Sequence, residues 1–271
     1  DEYFSDQISR DKLGTIKFNL ALFDYLKNLI RPEDLKENNI TNVKLSDQER
    51  KLDPTIFRRE IERFVIEFSW KSSKIEGNTY SLLETEVLIK QSKEASGHSK
   101  YEAIMILNHK RAIEYILEQR NKFKTITLSE IIELHKILTK DLEVTIGIRN
   151  NPVAISGSNY LPPASKQEIE PILNKLTKTL NNILDPLEKA LVALTFLSYM
   201  QPFADGNKRT ARVLANAILI AHDCYPISFR NVEETNYLKA LLLFYEKNNL
   251  SYFKKIFLEQ YSFALQNYFR T

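Results

Sequence analysis

D-P-L-E-K-A-L-V-A-L-T-F-L-S-Y-M-Q-P-F-A-D-G-N-K-R-T-A-R-V-L-A-N-A-I-L-I-A, residues 185–221, decides the fold. Asp185-Pro186 is an N-cap followed by proline at the first helical position, and the next residues are apolar almost to Gln201. Asp205-Gly206 makes a tight turn, and a second helix begins near Asn207. The apolar stretches 191–200 and 214–221 are each about half of the ~20 residues that a membrane span requires. They read as two buried core helices joined by a turn, and no membrane partner is expected.

Working outward, similar punctuation repeats. Asp53-Pro54 opens a helix to about Trp70, and Ser81-x-x-Glu84, Thr127-x-x-Glu130 and Ser165-x-x-Glu168 are capping boxes before periodic runs. A long helix is expected from about Lys100 to Arg120, and two more over 233–247 and 251–269, capped by Asn231 and Ser251. Another is expected from about Thr15 to Ile30, stopped by Pro32. The segment G-I-R-N-N-P-V-A-I-S-G-S-N-Y-L-P-P, 147–163, holds two of the six glycines and three of the nine prolines, and reads as a small β-hairpin or extended flap. The expectation is an all-α bundle with that flap. Residues 1–95 form an N-terminal helical region, and 96–271 the core and C-terminal helices. The last helix is rich in Tyr and Phe, mostly core, and an exposed aromatic face there would be a homodimer surface.

Composition narrows the function classes. Six glycines in 271 residues are too few for a sandwich or barrel, and no G-x-G-x-x-G occurs. The net charge of +3 is too balanced to predict nucleic-acid binding. One cysteine, Cys224, excludes an intramolecular disulfide framework and a Cys-cluster zinc site, and fits a reducing, cytoplasmic setting. The acidic start, D-E-Y-F-S-D-Q, is not a secretory signal, and Asp1 in place of methionine suggests a chain that begins inside a longer product.

The chemistry is concentrated in Q-P-F-A-D-G-N-K-R-T-A-R, 201–212. Lys208, Arg209 and Arg212 lie in the first turns of an apolar helix, where each cation opposes the helix dipole by ~0.3–1 kcal/mol if exposed. An anion at that helix N-terminus would resolve the conflict, since first-turn N–H groups and basic side chains would converge on it. Asp205 could hold Mg²⁺ bridging phosphate oxygens. The other reading is a glycine turn followed by solvated basic residues.

Residues 201–212 resemble the signature of the Fic family, H-P-F-x-[D/E]-G-N-[G/K]-R-x-x-R, matching eight of its nine specified positions. S-S-K-I-E-G, 72–77, resembles the family's inhibitory motif [S/T]-x-x-x-E-[G/N], with Ser72, Glu76 and Gly77 in place. Residues 102–115 and 147–157 are similar to Fic-domain sequence, the latter to its target-binding flap. The resemblance implies a Fic-type helical bundle, an ATP–Mg²⁺ site, and transfer of AMP from ATP to a hydroxyl of a target protein. It places Asp205 on Mg²⁺ and Gly206 and Asn207 along the α- and β-phosphates. Arg209 would support the phosphates, with Lys208 beside them, and Arg212 would hold the γ-phosphate. Glu76 would pair with Arg212 as an inhibitor. Val153, Ala154 and Ile155 would align a target segment by strand addition.

Two positions depart from the pattern. The family's general-base histidine is Gln201 here, and an amide cannot accept a proton near pH 7. General-base loss typically costs ~10²–10⁴-fold. None of His98, His109, His135 and His222 lies in the loop to replace it. The other departure is Lys208, since N-K-R resembles the Doc-like branch, which transfers phosphate, although that branch usually has alanine where this chain keeps Gly206. The sequence therefore predicts a self-inhibited adenylyltransferase scaffold with weak or absent transfer. A non-catalytic ATP-binding interaction module and a Doc-like phosphotransferase are the rival readings.

Overall fold

Asp53, Ser81, Ser99, Thr127 and Asp185 each accept a hydrogen bond from a backbone N–H two or three residues ahead, and each opens a helix. The computed structural model describes residues 2–5, Arg10 and 14–270. In chain order the α-helices are α1 (Glu2–Ser5), α2 (Pro32–Glu37), α3 (Leu45–Lys51), α4 (Pro54–Lys74), α5 (Leu82–Gln91) and α6 (Lys100–Glu118). They continue as α7 (Leu128–Thr139), α8 (Lys166–Asn182), α9 (Pro186–Met200), α10 (Asn207–Ala221), α11 (Glu234–Lys247) and α12 (Ser251–Asn267).

The pair α9–α10 is the centre. Every residue from Leu187 to Met200, and from Arg209 to Ala221, is buried. A helix that is apolar on all sides must be covered on all sides. Accordingly α4, α6 and α7 pack on α10, and α8 and α11 pack on α9. A smaller apolar cluster joins α4, α5 and α6 through Ile66, Leu88, Ile89, Ala103 and Ile106. The C-terminal aromatics are mainly core, with Phe253, Phe257, Tyr261, Tyr268 and Phe269 buried. Among the described residues no helix is long and apolar enough to cross a membrane.

The region 15–30 differs from the expected helix. Ile16–Lys17 is a two-residue strand, β1, and Leu20–Tyr25 is a 3₁₀ turn capped by Asn19. Tertiary partners override local helix propensity there. Phe18 stacks on Tyr199 with centroids 4.6 Å apart, the Asn19 N–H donates to the Tyr199 hydroxyl, and the Leu29 and Ile30 N–H groups donate to the Glu188 carboxylate. Pro32 opens α2 at its first position.

Of the two forms expected for 147–163, the extended flap is found and the hairpin is not. Tyr160–Leu161 is the only strand of the 147–163 segment (β2), and it pairs in parallel with β1, Ile16 opposite Tyr160. Val153–Ile155 lies outside any strand. Pro152, Pro162 and Pro163 supply no N–H to a ladder. The carbonyls of Asn151, Pro163 and Ala164 are taken by the Arg149 guanidinium. Three caps differ too. Ser165 makes no capping bond, and the Glu168 carboxylate accepts from the Ala164 N–H instead. The last two helices have Glu233 and Leu250 at their cap positions, in place of Asn231 and Ser251.

Candidate nucleotide site

The turn between α9 and α10 is fixed from four sides. Gln201 ends α9 in the left-handed region (φ 50°), and its N–H donates to the Leu197 carbonyl at 3.2 Å. Asn207 reaches back four residues: its Oδ1 accepts from the Phe203 N–H and its Nδ2 donates to the Phe203 carbonyl, both at 2.8 Å. From α7, the His135 ring stacks on Phe203 (centroids 3.8 Å, 13°), and its Nε2 donates to the Asp205 carbonyl at 3.0 Å. Burial holds that imidazole neutral, with its pKa pushed down to about 4. From the flap, the Arg149 N–H donates to the Pro202 carbonyl at 3.0 Å and its Nε to the Gln201 carbonyl at 2.7 Å.

Gly206 is required at the turn for two reasons. Its φ is +80°, and a Cβ there would lie 3.1 Å from Thr139 Cγ2 and 3.5 Å from His135 Cδ2. It is the cap residue of α10, and no side chain caps the helix there. The positive end of α10 therefore has no side-chain cap of its own.

Three cations follow. Arg209 Nη2 donates to Asp205 Oδ2 at 2.6 Å, yet the Asp205 side chain remains 56% exposed. Lys208 Nζ is 3.2 Å from Glu76 Oε2, and Arg212 Nη2 is 2.7 Å from Glu76 Oε1. Arg212 is fully buried; its Nε donates to Ser72 Oγ and its Nη2 also to the Ser72 carbonyl, at 2.8 and 2.9 Å. The Nη1 groups of both Arg209 and Arg212 are buried without a hydrogen-bond partner among the described residues.

Glu76 reaches Arg212 because α4 ends at Lys74, two residues before it, with Ile75 as the C-cap. Gly77 (φ +91°) turns the chain, and the Asn78 N–H returns to the Ser73 carbonyl at 3.1 Å. Burial alone would raise the Glu76 pKa, but Arg212 and Lys208 outweigh it and bring it down to about 2. Lys71 Nζ, bonded to Glu234 at 2.5 Å, ties this helix end to α11.

Together these parts wall a cavity of about 420 Å³. It is lined by Glu76, by Val153–Ser156 of the flap, by Gln201 and Ala204–Lys208 of the turn and start of α10, and by Leu238, Leu241, Leu242 and Tyr245 of α11. The structure thus brings together every residue singled out in the 201–208 stretch, Glu76 and the flap, with Arg212 behind Glu76. Gly77 shapes the turn without facing the cavity. The Asn207 side chain braces the loop, so what it offers an anion is its place in the first turn of α10. The sequence points to no role for the α11 wall or Arg149, and to a structural histidine alone at His135.

Residues 125–219 match the family model described as Fic/DOC. They form a Fic/DOC-family domain. The matched segment runs from before α7 to within two residues of the end of α10, and so contains the flap and the loop but not Glu76. Among curated proteins, the protein adenylyltransferase Fic of Nematostella vectensis is 30% identical over 189 residues, 68% of this chain and 44% of that protein. That of Aedes aegypti is 30% identical over 193 residues, 68% of this chain and 38% of that protein. The chain therefore spans less than half the length of these relatives. Among solved structures, Fic-1 (aa134–508) from C. elegans superposes with a TM-score of 0.73 at 21% identity, over 92% of this chain and 75% of that one. A Fic domain containing signaling protein from Bacteroides thetaiotaomicron gives 0.66 at 24% identity, over 82% and 92%. The helical Fic fold thus extends well beyond the matched segment.

Proposed function

We propose that this Fic/DOC protein is an ATP-binding adenylyltransferase scaffold held closed by Glu76, with transfer limited by Gln201. The observation that carries the reading is the Glu76 carboxylate, which reaches across the cavity wall to Lys208 and Arg212. It occupies the cations that a nucleotide phosphate would need. The spare Nη1 donors of Arg209 and Arg212 and the uncapped start of α10 suit an anion with several oxygens.

Asp205 would hold Mg²⁺, which supplies charge neutralisation at the phosphates when bound. Among the described residues no group of three His, Cys, Asp or Glu side chains gathers to hold a metal. A single carboxylate with phosphate and water ligands is the usual magnesium arrangement, so the donor set fits. The apolar α11 wall would take the base, and the flap would lay a target backbone beside Gln201.

The reaction would join the target hydroxyl oxygen to the α-phosphorus of ATP, release pyrophosphate, and pass the hydroxyl proton to a base. At the base position, the Gln201 amide donates through Nε2 to the Ser198 carbonyl at 2.6 Å and cannot take that proton. The same observation favours a second reading, an ATP-binding module that does not turn over.

Glu76→Gly should raise ATP–Mg²⁺ affinity, read by calorimetry, and adding Arg212→Ala should erase the gain. Unchanged affinity in Glu76→Gly overturns the inhibitory assignment. Acidification is not a substitute. A carboxyl whose pKa falls from 4.5 to about 2 keeps its stabilising charge above 4.5 and loses it only as pH drops through 2. The parent chain should therefore gain no ATP affinity between pH 8 and pH 5.

A further inference from the structure

His109 is fully buried in the middle of α6, between the end of α4 and α10, and the chemistry proposed above does not use it. Its two ring nitrogens have different partners. Nδ1 is 2.8 Å from the Met105 carbonyl, one turn back, and 3.2 Å from Ser73 Oγ. A carbonyl can only accept, so Nδ1 carries the proton. Burial, then the Arg209 and Arg212 cations, push the pKa of the ring down to about 3 and keep it neutral. Nε2 is therefore an acceptor.

Ser72 Oγ lies 2.8 Å from Nε2 and so donates to it. That fixes the hydroxyl proton away from α10 and leaves the oxygen lone pairs to accept the Arg212 Nε–H. The order of donors is thus set in one direction, from Arg212 to Ser72 to His109 to Met105. Ser72 then grips the guanidinium at two points, Nε through its side chain and Nη2 through its carbonyl. Neither grip involves Glu76. Without an acceptor at His109 the Ser72 hydroxyl becomes a free rotor. It can then turn its own proton toward Arg212, donor against donor.

We propose that His109 is a positioning residue for Arg212, acting through Ser72, and that it holds the guanidinium in place when Glu76 is withdrawn. The proposal rests on the reading of Arg212 as the partner of the terminal phosphate of ATP.

The test uses the full chain carrying Glu76→Gly and compares ATP with ADP, both with Mg²⁺, by calorimetry. ADP lacks the terminal phosphate, so the ratio of the two affinities reports on Arg212, which a packing defect would not move. His109→Met should lower ATP affinity about tenfold and leave ADP within about twofold, a differential of ~1.4 kcal/mol by the tenfold conversion. His109→Gln, whose amide oxygen can accept the Ser72 proton, should keep the ratio within about threefold of the Glu76→Gly chain. Ser72→Ala removes the link from its other end and carries the test if His109→Met does not fold. A folded His109→Met chain that keeps the ratio, or that loses both nucleotides equally, overturns the positioning role alone. A Glu76→Gly chain that does not prefer ATP over ADP, and that Arg212→Ala does not change, overturns the underlying reading and this proposal with it.

Discussion

The loop over 201–206 and the flap over 150–157 face the same cavity, and neither forms a helix or strand there, yet they are held in opposite ways. The loop is bonded along its whole length, by Asn207, by His135 and by the Arg149 backbone and side chain. Among the described residues, the flap's hydrogen bonds to Arg149 and Arg10 lie at its ends, while in between the Ile155 carbonyl accepts locally from the Ser158 N–H at 3.2 Å and the Ile155 side chain packs against the core. Arg149 takes the Asn151 carbonyl at one end, and Arg10 takes the Gly157 carbonyl at the other. The wall between them, Val153–Ser156, is half-buried or exposed. Reacting groups need a fixed geometry, whereas a docking edge that reads backbone tolerates varied sequences and benefits from give. The difference in bonding suits the division of labour proposed for the loop and the flap.

The largest effect should come from the rigid side. If the loop is already preorganised, restoring the base is enough to restore chemistry once the phosphate site is open. Gln201→His with Glu76→Gly should transfer label from ATP about 10²–10⁴-fold faster than Glu76→Gly alone. Label from the α-phosphate marks AMP transfer, and label from the γ-phosphate alone marks the Doc-like reaction. A double variant that binds ATP–Mg²⁺ but stays silent would show that a well-held loop is not sufficient.

Next is the residue that joins the two regions. Arg149 is buried and, among the described residues, its side chain is bonded only to carbonyls, so burial lowers its pKa with no described carboxylate hydrogen-bonded to it. Arg149→Met leaves the Gln201, Asn151 and Pro163 carbonyls without that donor, at a cost of about 3 kcal/mol. Chemical denaturation should show that loss, and ATP affinity should fall with it in the Glu76→Gly background. A loss below about 1 kcal/mol would mean that the loop keeps its shape unaided.

The smallest effect should come from the flap wall. Val153→Ala should change stability by less than about 0.5 kcal/mol, the usual range for a lightly packed site. A loss matching that of Arg149→Met would show a flap as stiff as the loop, and the contrast would fail.

Legibility in the sequence followed how local each interaction is. The caps at Asp53, Ser81, Thr127 and Asp185 act within three residues, and each opens the helix expected of it. The α9–α10 pair was readable because two apolar runs around Asp205-Gly206 have few other ways to be buried. The Glu76–Arg212 contact spans 136 positions, and it came only through the resemblance of two short motifs to a family pattern. The stretch 15–30 misled because Phe18, Asn19 and Leu29 answer to Tyr199 and Glu188, far along the chain. The bracing of the loop by Arg149 and His135 was silent for a related reason. A buried arginine serving carbonyls and a histidine stacked on Phe203 carry no spacing that marks them. Their partners are backbone groups, which every residue has.

The order of the chain adds a consequence in time. Glu76 precedes Arg212 by 136 positions, so at ordinary translation rates it is made roughly ten seconds or more before the arginine. The carboxylate is waiting when α10 emerges, and α4 is one of the elements that cover α10. On the proposed reading of Glu76, each newly made molecule is closed at birth, and whatever opens it must act after synthesis is complete.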